Sequence, residues 1–303
     1  MIAVRNKERA EAIVGNDCEV VTDPFLVVDH PEIEIVVELI GGYDTAKELV
    51  LRAINNGKHV VTANKALLAL HGNEIFAAAQ AREVMVAFEA AVAAGDSDHQ
   101  GAARRPDREP HRIGGLSIIN GTTNFILSEM RDKGLDFGTV LKQAQALGYA
   151  EADPTFDIEG VDAAHKATIM SAIAFGIPVQ FEKAHVEGIS NLQAIDIKYA
   201  EQLGYRIKLL GITKRAVVGG VEGIELRVHP TLIPAKRLIA NVEGAMNAVL
   251  VQADAVGASL YYGKGAGAEP TASSVIADLV DITRLATANP STGCRTWRSS
   301  RTR

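Results

Sequence analysis

The chain has 303 residues and a mass of 32.2 kDa, with 47% apolar and 22% charged residues, which is material for two globular domains. A net charge of -6 and a pI near 5.8 exclude nucleic acid as the main partner, because phosphate recognition needs a concentrated positive surface. Two cysteines, Cys18 and Cys294, build no disulfide framework and sit in no metal-ligand spacing, the start MIAVRNKERA has no apolar signal core, and no uncharged run approaches the roughly 20 residues of a membrane span. A reducing, cytoplasmic setting is the expectation.

In chain order, Ile2-Ala3-Val4 is a short apolar strand and KERAEAIVG a charged helical pattern. Ile35-Val-Val-Glu-Leu-Ile40 is a β-branched strand ending at Gly41-Gly42. Thr45 to Asn56 carries Ala46, Leu49, Val50, Ala53 and Ile54 at helical spacing, with Gly57 as the stop. His59-Val-Val-Thr62 is a strand, Ala63-Asn-Lys65 a polar turn, and a helix is predicted from about Glu74 to Arg82 before the strand Val84–Phe88. Strands alternating with helices of this length predict βαβ units and a parallel sheet covered on both faces, with ligands at the carboxyl ends of the strands. Gly41-Gly42, Lys65 and Glu89 fall at such ends.

From Asp96 to Arg112 the chain has no aliphatic residue larger than alanine, four arginines and two prolines, and ordinary patterning resumes at Ile113. Ser291 to Arg303 is similar, with four arginines and the only tryptophan. Each segment reads either as a solvated loop or tail or as a stretch of disturbed coding frame.

Beyond Ile113 a second domain begins. Ser117-Ile-Ile-Asn-Gly-Thr-Thr-Asn124 is a strand running into a turn, with Thr123 or Asn124 capping the helix that starts FILSEM. Helices are predicted over Phe137–Leu147 and Asp162–Phe175. Strand-rich sequence follows, and alternation in Ile224–His229 predicts antiparallel strands with one wet face. The fold class is therefore α/β, a Rossmann-like parallel-sheet domain over 1–112, followed by an α+β domain over 113–290 and an irregular tail over 291–303.

Gly148 to Lys166, GYAEADPTFDIEGVDAAHK, gathers Glu151, Asp153, Asp157, Glu159 and Asp162 ahead of Lys166. Pro154 disfavours helix at Asp153, so Glu151–Gly160 is expected to be an extended connection whose carboxylates can converge on a ligand ammonium group, or else a merely solvated acidic loop. Asp162 and Lys166 share a helix face. The apolar continuation ATIMSAIAFG sets that lysine near a dry pocket, where desolvation favours proton exchange near neutrality; an ordinary surface ion pair is the alternative. Lys65, past a strand end, is within reach of a cofactor or substrate oxygen, or is a plain turn lysine. Glu89 with the small residues after it offers oxygens for a hard cation, or is a plain strand exit. Gly263-Lys-Gly-Ala-Gly267 lets backbone approach a ligand, yet is neither a Walker loop nor GxGxxG.

Taken in order, VVELIGG, HVVTANKALLA, EAAVA, INGTTN, the run from Ala144 to Lys166, and GKGAG followed by PTAS resemble the homoserine dehydrogenase family. The most specific element is A-x(3)-G-Y-x-E-x-D-P-x-x-D-I-x-G-x-D-x(3)-K, satisfied from Ala144 to Lys166. The resemblance implies NAD- or NADP-dependent interconversion of L-homoserine and L-aspartate 4-semialdehyde, on the route to threonine, isoleucine and methionine. It implies Lys166 as the acid/base, with Lys65 beside it at the junction of substrate and nicotinamide. Glu151, Asp157, Asp162 and Gly148 would hold the substrate. Gly41, Gly263, Gly265 and Lys65 would border the cofactor, and Glu89 with the carbonyls of Val92, Ala94 and Asp96 would hold a monovalent cation, Na+ or K+. A homodimer is implied as well.

Departures from the family bear on activity. Ile2-Ala-Val resembles the family's second strand, so the first strand and its G-x-G-x-x-G pyrophosphate loop are expected to be missing. Asp96 onward replaces an Ile-Pro-rich helix start, with Gln100 where a lysine is expected. Ala3–Asn6 is compatible with either cofactor, Arg5 leaning towards a 2′-phosphate. Two readings stay open: a working dehydrogenase, or a non-catalytic remnant that keeps only the substrate and dimerisation domain.

Overall fold

A computed structural model describes residues 1–92 and 114–287. The irregular segments predicted at 96–112 and 291–303, and the boundary between the two predicted domains, lie outside the described residues.

The first unit runs β1 (Ile2–Ala3), α1 (Lys7–Val14), β2 (Val20–Val21), α2 (Phe25–Asp29), β3 (Ile35–Glu38), α3 (Asp44–Asn55), β4 (His59–Thr62), α4 (Lys65–Arg82), β5 (Val86–Ala87) and α5 (Glu89–Val92). Every strand pair in it is parallel, as the alternation of strands and helices predicts. The strands form two ladders, β1–β2 and β3–β4–β5, and no strand joins them among the described residues. In a doubly wound sheet the first strand lies between the second and the fourth.

Helix α3 buries Ala46, Leu49, Val50, Ala53 and Ile54, the residues picked out by spacing. Helix α4 begins at Lys65, not near Glu74. The polar turn read at Ala63-Asn-Lys is its N-cap, where the Asn64 side chain accepts from Leu67 N at 3.0 Å. Gly72 obscured the helical pattern. It is there for packing, since a Cβ would lie 3.2 Å from the Phe76 ring and 3.5 Å from Val179.

The second unit comprises β6 (Gly114–Ile118), α6 (Gly121–Lys133), α7 (Phe137–Ala146), α8 (Thr155–Ile158), α9 (Val161–Phe175), β7 (His185–Val186), α10 (Ala194–Gln202), β8 (Tyr205–Val218), β9 (Val221–Pro234), β10 (Met246–Ala253), β11 (Gly257–Lys264) and α11 (Ala268–Thr287). Its six strands lie in the order β11-β10-β6-β8-β9-β7, antiparallel except for β7 beside β9. Successive residues of β8 serve opposite faces. Leu209 joins Phe125, Ala163 and Ala167 under the helices, whereas Leu210 and Ile212 join Ile118, Ile233 and Ala248 on the other side. Antiparallel pairing of Ile224–His229 is as predicted: Leu226 and Val228 face the helices, while Glu225 and Arg227 on the other face are partly exposed and ion-paired, Glu225 also to Lys214 of β8.

Two further expectations are corrected. Helix α6 is capped by Asn120, whose side chain accepts from Thr123 N at 2.8 Å, and not by Thr123 or Asn124. The connection after Pro154 is not extended throughout, since Thr155–Ile158 forms a turn of helix. Proline restricts the residue before it, but its own fixed φ suits a helix start. The Asp153 side chain then accepts from Thr155 N at 3.1 Å and nucleates the turn.

The units are joined by two helices. Ile169, Met170 and Ile173 of α9 pack into the core of the first unit. Helix α11 returns to lay Val275 and Ile282 against Val61 of β4. Asn73 and Val179 add a reciprocal pair of 2.8 Å hydrogen bonds. Among the described residues, no helix is long and apolar enough to cross a membrane.

Candidate active site

The site lies where the end of β6 and the first turns of α4, α6, α8 and α9 meet. Gly160, at φ +80°, makes the sharp turn from α8 into α9 and turns Asp162 and Lys166 inward. Behind it, Ile189 N donates to Ile158 O at 2.7 Å, and Gly188 passes so close that a Cβ would lie 2.3 Å from that same oxygen.

Asp162 is at the centre, 4% exposed. Its Oδ1 is 2.9 Å from Lys65 Nζ and its Oδ2 is 3.0 Å from Lys166 Nζ. Lys166 Nζ also donates to Ile119 O at 2.9 Å. Asn120 Nδ2 donates to Asp162 Oδ2 at 2.9 Å and to Asp157 Oδ1 at 2.7 Å. Two lysines, two carboxylates and one amide thus form a single net, its members drawn from both units.

The electrostatics follow from these contacts. Burial opposes ionisation of Asp162, but Lys166, Lys65 and the Asn120 amide overcome it and hold the carboxyl far below the usual carboxylate range. For Asp157 burial prevails: its pKa is raised, with the Asp162 charge adding to the rise and Asn120, Lys166 and Lys65 opposing it. His165 is buried edge-on to Phe156 and Phe181, at ring distances of 5.3 and 4.4 Å, and burial lowers its pKa.

Of the residues singled out in the sequence, Lys65, Asp157, Asp162 and Lys166 are brought together. Glu151 is exposed, and among the described residues no hydrogen bond or ion pair ties its carboxylate to the net. Gly148, at φ +76°, closes α7. Its neighbour Tyr149 is anchored to the first turn of α6 through Thr122 Oγ1 donating to Tyr149 O at 2.6 Å.

Gly41 and Gly42 take φ +72° and +69° at the carboxyl end of β3. That loop is fixed from below: Asn64 Nδ2 donates to Gly42 O at 2.6 Å, and buried Glu38 accepts from Ile40 N at 2.9 Å and Thr62 Oγ1 at 2.7 Å. Gly263 pairs with Asn247, while the next residue of β10, Ala248, pairs with Ile118. The GKGAG loop therefore leaves the sheet on the same edge as Ile119. Gly265 is pressed onto buried Asn247, leaving no room for a Cβ. Glu89 opens α5, its N–H donating to Asp278 Oδ2 at 2.8 Å. Burial, with Glu89 and Asp281 adding, pushes Asp278 up to about 7. Val92 is buried, whereas Ala94 and Asp96 lie outside the described residues.

Sequence reasoning missed Asn120, the Ile119 carbonyl, the Glu38–Thr62 support and Asp278. Ile119 and Asn120 carried a signal through INGTTN, and Glu38 and Thr62 through VVELIGG and HVVTANKALLA; Asp278 lies in none of these motifs.

The family model "Homoserine dehydrogenase, NAD binding domain" matches residues 1–89, and the model "Homoserine dehydrogenase" matches residues 109–280. The chain belongs to the homoserine dehydrogenase family. It is 64% identical over 272 residues to a homoserine dehydrogenase of Pseudomonas aeruginosa, covering 89% of this chain and 61% of that one. Against the homoserine dehydrogenase of Bacillus subtilis the identity is 42% over 265 residues, covering 86% and 59%. The crystal structure of a homoserine dehydrogenase from Thiobacillus denitrificans superposes with a TM-score of 0.89 at 67% identity, covering 95% of this chain and 65% of that one. A hyperthermophilic archaeal homoserine dehydrogenase in complex with NADPH superposes with a TM-score of 0.73 at 26% identity, covering 93% and 83%. The chain spans about three-fifths of the length of the curated family relatives it matches.

Proposed function

We propose that the chain catalyses the NAD(P)-dependent interconversion of L-homoserine and L-aspartate 4-semialdehyde, within 1–112 as nucleotide-binding domain and 113–290 as catalytic and dimerisation domain. The observation that carries this is the Lys65–Asp162–Lys166 net, with Lys166 Nζ also held on Ile119 O. An ammonium has three donors, and two of those on Lys166 are engaged. Among the described residues the third has no partner, which leaves it for a substrate oxygen. In the reducing direction the Lys166 ammonium gives a proton to the carbonyl oxygen as the hydroxyl forms and becomes the neutral amine; in the oxidising direction the neutral amine takes the hydroxyl proton. Lys65, paired with Asp162, stabilises negative charge developing on that oxygen. Asp157, with Glu151 and Gly148 at the rim, receives the substrate ammonium group, and Asp162 sets both lysines.

Residues at the nicotinamide end fit a cofactor. Gly41 and Gly42 present bare backbone with open space around it at the end of β3, and Gly265 lies against Asn247 with no room for a Cβ. Gly41, Lys65, Gly263 and Gly265 would hold this end. When bound, the reduced nicotinamide would supply the hydride for carbonyl reduction, and its oxidised form would receive the hydride in the reverse direction.

A monovalent cation, Na+ or K+, is proposed at Glu89 and the Val92 carbonyl, hard oxygen donors suited to it, with Ala94 and Asp96 completing the set. The homodimer is proposed on the family resemblance. An assembled proton-transfer net favours a working enzyme over a non-catalytic remnant. The test is oxidation of NADPH or NADH on adding L-aspartate 4-semialdehyde to the purified chain. Turnover is expected; folded protein without turnover with either cofactor would overturn the proposal.

A further inference from the structure

We propose that Asn120 is a positioning residue that holds Asp157 and Asp162 as a fixed pair and leaves Asp157 as the carboxylate open to the substrate ammonium group. This rests on the function proposed above and goes beyond it, because it gives Asn120 the task of keeping the two aspartates in their separate roles.

The amide of Asn120 has only one workable orientation. Its Oδ1 accepts from Thr123 N at 2.8 Å, capping α6, and its Nδ2 donates to both carboxylates. A flipped amide would turn its oxygen towards two negative charges and its nitrogen towards an N–H. Asn120 is 4% exposed, so no solvent replaces a lost partner. One side chain therefore ties the start of α6 to α8 and α9.

Asp162 already carries Lys65, Lys166 and Asn120. Asp157 has one oxygen on Asn120, and no hydrogen bond is made by its Oδ2 among the described residues. A ligand ammonium therefore finds its free acceptor at Asp157. Burial and the Asp162 charge work against ionisation of Asp157, and the Asn120 amide is foremost among the groups that oppose them, ahead of Lys166 and Lys65. His165, the remaining titratable neighbour on α9, is held down by burial. Without the amide, Asp157 would take up a proton at higher pH and lose its grip on a cation.

The test separates clamp from cap. Asn120→Asp keeps a strong capping oxygen but cannot donate to either carboxylate. Asn120→Ser keeps the cap and one donor. The carboxyl carbon of Asp157 is followed by NMR titration in the chain alone, and KM and kcat for L-homoserine are measured across pH. In Asn120→Asp the Asp157 midpoint should rise by about one unit and KM at neutral pH by about tenfold, with kcat changed less. Asn120→Ser should recover most of both. Equal loss of thermal stability in the two variants, with the Asp157 midpoint and the ratio of KM to kcat unmoved, would reduce Asn120 to a structural cap and overturn the proposal. Should Asn120→Asp fail to fold, Asn120→Ser alone decides: a small upward shift supports the clamp and none overturns it. The titration needs no turnover, so a wild-type chain without activity would refute the proposed function while leaving the clamp testable.

Discussion

Asp162 is a buried carboxylate whose ionisation depends on two lysines, and this gives it a definite pH signature. Its folded pKa lies below the unfolded value of about 3.9, so its contribution to stability is present above that value and is lost as pH falls through it. Asp162→Asn should therefore melt below the wild type at pH 7, with the gap narrowing below about pH 4 in calorimetric scans. Asp278 has the opposite sign. Its folded pKa is pushed up to about 7, so wild-type stability falls as pH rises from the unfolded value towards 7. Asp278→Asn keeps an oxygen for Glu89 N–H but has no charge to bury. It should melt above the wild type at pH 8 and lose that advantage near pH 4.

At the scale of elements, the position of Asp157 depends on how closely α8 packs against Gly188. Gly188→Ala places a Cβ within 2.4 Å of backbone atoms of Ile158 and Glu159, so the helix must move. A loss of about 1–3 kcal/mol in denaturant unfolding is expected, together with a raised KM for homoserine. Much of this level was legible in the sequence. Helix α3, the strand ends at Gly41 and Lys65, and the face shared by Asp162 and Lys166 follow from spacing alone. The start of α4 did not, because Gly72 and Asn64 resemble turn residues until their packing and capping partners are known. The short α8 was hidden by Pro154, which disfavours helix at Asp153 and yet, by its own fixed φ, suits a helix start. Asn120 escaped because its three partners lie at positions 123, 157 and 162, and pairing across that separation is set by the tertiary fold.

Across the whole molecule, the two units share one net of charged side chains, Lys65 coming from the first and the aspartates and Lys166 from the second. Their alignment depends on α9 and α11. Ile282 is 1% exposed where α11 meets β4. Ile282→Ala should cost about 2–5 kcal/mol and speed hydrogen exchange of the β4 amides, with little change in those of β8. Uniform acceleration in both strands would mean that α11 is not a local clasp.

The central claim is that Lys166, held by Asp162 and Ile119, moves the proton while a nicotinamide moves the hydride. Comparing kcat for L-aspartate 4-semialdehyde reduction by the wild-type chain and by Lys166→Met, both verified as folded, tests it most directly. Measurable wild-type turnover is expected, with a fall of about 10²–10⁴-fold in the variant and homoserine still bound. A Lys166→Met chain that turns over at the wild-type rate would contradict it.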